Sequence, residues 1–122
     1  MARVLIVDDE KDVVELVKFL LAREGYEVVE ACNGREALEC VETEHPDLII
    51  LDVMMPEMDG YTVQTRLMAN EATRQIPIIF LTAVARPRGS PSSLGKAAFH
   101  MEKPFDPKEL LYVVQDFLMK RH

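Results

Sequence analysis

The stretch LIILDVMMPEMDG, residues 48–60, decides the fold. Leu48 to Leu51 is an unbroken aliphatic run that ends on the carboxylate of Asp52. A continuous run, rather than in/out alternation, is what a strand covered on both faces requires. After a short loop, Asp59-Gly60 opens a helical pattern through Tyr61, Val63, Leu67 and Met68. The same strand-then-helix unit recurs on both sides. Upstream, Val4 to Val7 runs into Asp8-Asp9 and a helix whose Val13, Leu16, Val17, Leu20 and Leu21 are expected to share a face, stopping at Gly25. Val28 to Ala31 follows. Asn33 and Glu36 then have the spacing of a capping box, opening a helix that carries Ala37, Leu38 and Val41. Downstream, Ile78 to Leu81 precedes Thr82, and the weaker run Ala98 to Met101 precedes Lys103. Asp106-Pro107 with Glu109 gives a cap, a proline at the first helical position and an acid at the third. The helix it opens is expected to bury Leu110, Leu111, Val114, Phe117 and Leu118.

Strands alternating with helices predict an α/β fold: an open, doubly wound parallel sheet of five strands joined by right-handed crossovers. The 122 residues suffice for one domain, 1–122, burying about two-thirds of its unfolded surface, with no linker and no output domain in view. One crossover breaks the pattern. Residues 86–95 read RPRGSPSSLG, seven of ten being Pro, Gly or Ser. Proline removes donors and glycine adds backbone entropy, so the fourth helix is expected to be shortened or disordered. At most, Ser90 caps a turn with Pro91 at its first position, reaching about Ala98. The segment reads as a surface loop carrying Arg86 and Arg88, or as an altered interaction surface.

Charge narrows the function classes. Fourteen basic and twenty-one acidic residues leave a net charge of -7, which disfavours direct binding to nucleic acid or to an anionic membrane. No apolar run approaches a membrane span, so no insertion is expected. The opening MARVLIVDDE turns acidic too early for a secretory leader. Cys32 and Cys40 make neither a CxxC motif nor a disulfide framework, which points to a reducing cytoplasm.

The chemistry lies just past the strands: Asp8-Asp9 after the first, Asp52 after the third, Thr82 after the fourth and Lys103 after the fifth. In open α/β sheets the carboxyl ends of the strands form the ligand crevice. A like-charged pair about 5 Å apart costs roughly 3 kcal/mol at an effective dielectric near 20, so three converging carboxylates call for raised pKa values or a cation. Oxygen-only donors favour a hard ion such as Mg²⁺. Taken alone, Asp8-Asp9 reads equally well as a helix N-terminal cap.

VLIVDDE, LIILDVMMPEMDG, IIFLTA and KPF, in that order at strand ends, resemble the receiver domain of bacterial response regulators over Arg3 to about Lys120. The resemblance implies the flavodoxin-like strand order 2-1-3-4-5. It also implies a phosphoacceptor in two-component signalling: Asp52 takes a phosphoryl group from a phosphohistidine on a histidine kinase or histidine phosphotransfer protein. Mg²⁺ would be held by Asp9 and Asp52, by Asp8 through water, and by the backbone carbonyl of Met54. Thr82 would bond a phosphoryl oxygen. Lys103 would pair with Asp52 and then with the phosphoryl group, with Lys103-Pro104 in cis. A downstream protein target or a missing output domain would receive the signal. The chain would be no enzyme beyond its own phosphorylation and dephosphorylation.

Where the family usually has Tyr or Phe as its switch aromatic, this chain has His100, beside Phe99. His100 is expected either as a half-exposed strand residue or as a modified switch. His45 and His122 read as surface residues. Met54, Met55 and Met58 read as loop packing that could gate water. Three other readings compete. A receiver-like module that binds partners without phosphorylation remains open. An aspartyl phosphohydrolase would carry D-x-D, whereas Val53 and Met54 follow Asp52. A flavin module would need a phosphate loop where this chain has DDEKD, and fails.

Overall fold

A computed structural model of the chain describes residues 1–83 and 98–119. Each aliphatic run forms a strand: β1 (Arg3–Val7), β2 (Glu27–Ala31), β3 (Leu48–Asp52), β4 (Ile78–Thr82) and β5 (Ala98–Glu102). All pair in parallel, in the order β2-β1-β3-β4-β5. The helices are α1 (Lys11–Arg23), α2 (Gly34–Glu44), α3 (Gly60–Met68) and α4 (Pro107–Met119). The shortened helix expected over 86–95, the Ser90-Pro91 turn, Arg86, Arg88 and His122 lie outside the described residues.

The strands are aliphatic because both faces of the sheet are covered. Val4, Ile6, Leu48, Ile50, Ile79 and Leu81 point to one side and meet α1 and α4 through Val17, Leu21, Leu110 and Val114. Leu5, Val7, Ile49, Leu51, Ile78 and Phe80 point to the other and meet α2 and α3 through Ala37, Val41, Val63 and Leu67. Burying each such aliphatic side chain contributes about 1.5–3 kcal/mol, which anchors the central strands firmly.

The caps form largely as their residues dictate. Asp59 accepts the Thr62 N–H at 2.8 Å, and Asp106 accepts the Lys108 N–H at 2.9 Å. Asn33 accepts the Glu36 N–H at 2.8 Å, but the return bond of the box is shifted: Glu36 Oε1 accepts from Cys32 N–H at 3.1 Å and from the Cys32 thiol. Gly25 ends α1 with φ of +88°, a conformation open to glycine at no steric cost.

The face of α1 differs from expectation. Val14, Val17, Leu20 and Leu21 are buried and Val13 half-buried, while Leu16 is 43% exposed and Phe19 60% exposed beneath the guanidinium of Arg23. The apolar residues of α1 occupy more than one stripe, and only the stripe facing the sheet at β1 and β2 is covered. In α4, Val113 is buried beside Leu110 and Val114, while Leu111, Phe117 and Leu118 pack half-buried at the core's margin.

Candidate functional site

The sheet register brings the strand-end groups together. Val7 pairs with Leu51, so Asp8 leaves β1 beside Asp52, and Thr82 pairs with Glu102, one residue before Lys103. The Lys103 N–H donates to the Thr82 carbonyl at 2.7 Å, which ties the ends of β4 and β5, and the Lys103-Pro104 peptide is cis. Carboxylate oxygens of Asp8, Asp9 and Asp52 lie within 4.8 Å of one another, with Asp8 and Asp52 buried and Asp9 exposed.

Lysine 103 faces this cluster. Its Nζ lies 2.9 Å from Asp8 Oδ2 and 3.6 Å from Asp52 Oδ1, and donates to Glu10 Oε1 at 2.8 Å. The pairing expected with Asp52 is therefore the longest of the three. Asp8 does not cap α1, which carries no side-chain cap bond; its Oδ1 instead accepts the N–H of Glu10, the residue that precedes the helix. Its Oδ2 is buried and, among the described residues, has no partner besides the Lys103 ammonium. Asp52 Oδ1 accepts the Met54 N–H at 3.2 Å.

The electrostatics follow from burial and crowding. Burial, then the charge of Asp8, push the Asp52 carboxyl up to about 7, against the opposing pull of Lys103 and of the Met54 N–H; Asp9 adds to the rise. Burial alone would lower the Lys103 ammonium, but hydrogen bonds to Glu10 and Asp8 and the charges of Asp8 and Asp52 outweigh it and raise its pKa. The Glu10 carboxyl is held below its usual range by its hydrogen bond to Lys103. Three carboxylates, of Asp8, Glu10 and Asp52, thus share one ammonium, with that of Asp9 beside them. All-oxygen donors, a surplus of negative charge and an under-bonded Asp8 oxygen suit a hard divalent cation, so the residues fit Mg²⁺.

The loop after Asp52 is fixed by its own turns. The Met58 N–H donates to the Pro56 carbonyl at 2.7 Å around Glu57, whose φ is +70°. Met55 is buried and Met58 packs on Gly34, as loop packing requires, whereas the Met54 side chain is 60% exposed. A Cβ on Gly60 would stand 2.5 Å from the Asp52 carbonyl oxygen, so the start of α3 presses directly on the backbone of Asp52.

In the middle of β5, His100 is half-buried. Its ring stacks on Phe80 at 4.9 Å, and its Nε2 lies 2.8 Å from the hydroxyl of Tyr61 on α3. His100 is thus a half-buried strand residue, as one reading expects, and it packs in an aromatic cluster with Phe80 and Tyr61. Sequence reasoning missed three contributors, namely Glu10, Gly60 and Tyr61. The Asp-Gly step before α3 was the available signal for Gly60; a single glutamate 93 positions from Lys103 offers none.

An acidic crevice of this kind, at the switch point of a β2-β1-β3-β4-β5 sheet and faced by a lysine that follows β5, defines a signalling receiver rather than a nucleotide-binding domain. Comparison with known proteins agrees: the chain belongs to the response regulator receiver domain family, whose sequence profile matches residues 4–115. Members of this family act in two-component systems. The chain is 42% identical over 109 residues to the alkaline phosphatase synthesis transcriptional regulatory protein PhoP of Bacillus subtilis, spanning 88% of this chain and 45% of that protein. It spans about half the length of most curated relatives it matches. Among solved structures, the chemotaxis response regulator CheY4 of Vibrio cholerae superposes with a TM-score of 0.88 at 35% identity, over 97% of this chain and 99% of that one. The receiver domain of the sensor histidine kinase PA1611 of Pseudomonas aeruginosa, solved with a magnesium ion in its active site cleft, gives 0.86 at 28% identity over 98% of each chain.

Proposed function

We propose that this chain accepts a phosphoryl group on Asp52 from a phosphohistidine donor and thereby changes its partner surface. The observation that carries the proposal is the gathering of Asp8, Asp9 and Asp52 oxygens within 4.8 Å, with the Lys103 ammonium 2.9 Å from Asp8 and 3.6 Å from Asp52. Asp8, Asp9 and Asp52, with the backbone carbonyl of Met54, would hold Mg²⁺. When bound, the ion supplies the positive charge that keeps Asp52 ionised near neutral pH and offsets charge on the phosphoryl oxygens.

In the transfer, an Asp52 oxygen forms the bond to phosphorus as the donor's P–N bond breaks. The electron pair of that bond stays on the imidazole nitrogen, which departs as the neutral or newly protonated ring. Such a reaction asks for positioning and charge neutralisation rather than covalent help. Lys103 brings a compact point charge to the developing charge on the equatorial oxygens. The hydroxyl of Thr82, at the end of the neighbouring strand, is the hydrogen-bond donor for a phosphoryl oxygen. The donor would be a histidine kinase or a histidine phosphotransfer protein. The signal passes to a downstream protein or to an output domain, as the names of the transcriptional relatives suggest.

Incubation with Mg²⁺ and acetyl phosphate or phosphoramidate, followed by intact mass measurement, tests this. A gain of one phosphoryl group is expected, lost on chelation and in Asp52→Asn. An unchanged wild-type mass at saturating donor refutes it and favours a module that signals without phosphorylation.

A further inference from the structure

Glutamate 10 sits where a helix begins, yet its side chain makes no capping bond there. That position favours short polar side chains that accept from the first turn. Here the carboxylate is diverted to Lys103, across 93 positions of sequence, at 2.8 Å. The backbone of Glu10 is fixed independently: its N–H donates to Asp8 Oδ1 and its carbonyl accepts from Val13 and Val14. The carboxylate is therefore aimed at Lys103 by a rigid base. Glu10 is outside the group of Asp8, Asp9 and Asp52 oxygens that could hold a cation.

The ammonium has three protons to give. Glu10 and Asp8 take the near positions at 2.8 and 2.9 Å, while Asp52 stands at 3.6 Å, beyond hydrogen-bonding distance. The third proton remains for a phosphoryl group on Asp52, but carrying the ammonium from 3.6 Å into bonding distance on that side stretches one of these two contacts. Asp8 is 0% exposed and is needed at the acidic cluster; Glu10 is 63% exposed, so its carboxylate can return to water. Glu10 is the partner that can be displaced cheaply.

We infer that Glu10 is a positioning residue: it holds the Lys103 ammonium away from Asp52 and competes with the incoming phosphoryl group for it. It thereby slows uptake of the group and limits how far the phosphorylated form accumulates. This rests on the phosphoacceptor reading above. In the step concerned, the Asp52–phosphorus bond forms as the P–N bond of phosphoramidate breaks, and its nitrogen, already protonated, leaves as ammonia. The contact with Glu10 is exchanged for one with a phosphoryl oxygen.

The test compares initial rates of phosphoryl uptake from phosphoramidate, by intact mass, at saturating Mg²⁺ and at low and high ionic strength. Three proteins are needed: wild type, Glu10→Gln and Asp12→Asn. Asp12 lies in the first turn of the same helix and is exposed, so its removal deletes the same charge without touching Lys103. Glu10→Gln is expected to be about two- to five-fold faster than wild type, the range for loss of one partly exposed ion pair, and to stay faster at high salt. Any gain in Asp12→Asn reflects long-range repulsion of the anionic donor and disappears with screening. Equal rates for Glu10→Gln and wild type at high salt, or a slower variant, overturn the inference while leaving the phosphoacceptor reading intact. Wild type that takes up no phosphoryl group sinks both, and is recognised by that result alone.

Discussion

The crowding that suits the crevice to a cation weakens the metal-free fold, and the size of the effect can be worked out. Burial and the Asp8 charge raise Asp52 from 3.8 to about 7. A carboxyl whose folded pKa exceeds its unfolded one binds an extra proton in the folded state between those values. Stability therefore falls as pH rises from about 4 to 7, and the penalty is fully present above about 7. A shift of about three units corresponds to roughly 4 kcal/mol as an upper bound. Water entry and side-chain relaxation reduce it, so about 2–3 kcal/mol is a reasonable expectation. Asp52→Asn removes the charge and keeps the shape. In chelator at pH 8 the variant should unfold later than wild type, by about 3–5 °C for each kcal/mol in a domain of this size. Thermal unfolding followed by circular dichroism, at pH 4.5 and pH 8, with chelator and with Mg²⁺, is the assay. The gain should shrink at pH 4.5, where Asp52 is protonated in the folded state. It should shrink again with Mg²⁺, which stabilises wild type by binding the folded state. A variant no more stable than wild type at pH 8 in chelator, or a gain equal at both pH values, refutes the reasoning.

Lys103→Ala should leave Mg²⁺ binding intact, measured by calorimetry, and slow phosphoryl uptake at least ten-fold, in the range set by loss of one charge-stabilising donor; loss of the metal site instead would show that its role is misassigned. Gly60→Ala gains helix propensity but drives a methyl to 2.5 Å from the Asp52 carbonyl. Denaturant titration should show a net loss of about 1–3 kcal/mol together with slower phosphoryl uptake, and a neutral or stabilising result would contradict the close approach. Tyr61→Phe removes the hydroxyl that meets His100 Nε2 at 2.8 Å. About 1 kcal/mol of stability should be lost, read by denaturant titration, and no loss would mean that the bond contributes nothing.

Much of this was legible because it depends on local rules. Aliphatic runs at regular spacing give a parallel sheet, and a parallel sheet delivers whatever follows each strand to one edge. Position alone places Asp8, Asp52, Thr82 and Lys103 at that edge, where the register of the strands has them. Asp59 and Asp106 cap their helices as their spacing requires. The misjudged residues depend on tertiary context. Leu16 was read into the core because α1 carries apolar residues on neighbouring stripes, and only contact with the sheet settles which stripe is covered. Glu36 returns its bond to Cys32 rather than to Asn33 because the chain enters α2 directly from β2. Glu10 was invisible since nothing local marks a glutamate whose partner lies on the last strand's exit.

The central claim is that one particular carboxylate forms the acyl phosphate. After phosphorylation with Mg²⁺ and phosphoramidate, borohydride reduction converts the modified side chain to an alcohol, and peptide mapping by mass spectrometry locates it. The account predicts reduction at residue 52 and nowhere else. Label at Asp8, Asp9 or Asp59, or a phosphoryl group found on His100, would contradict it.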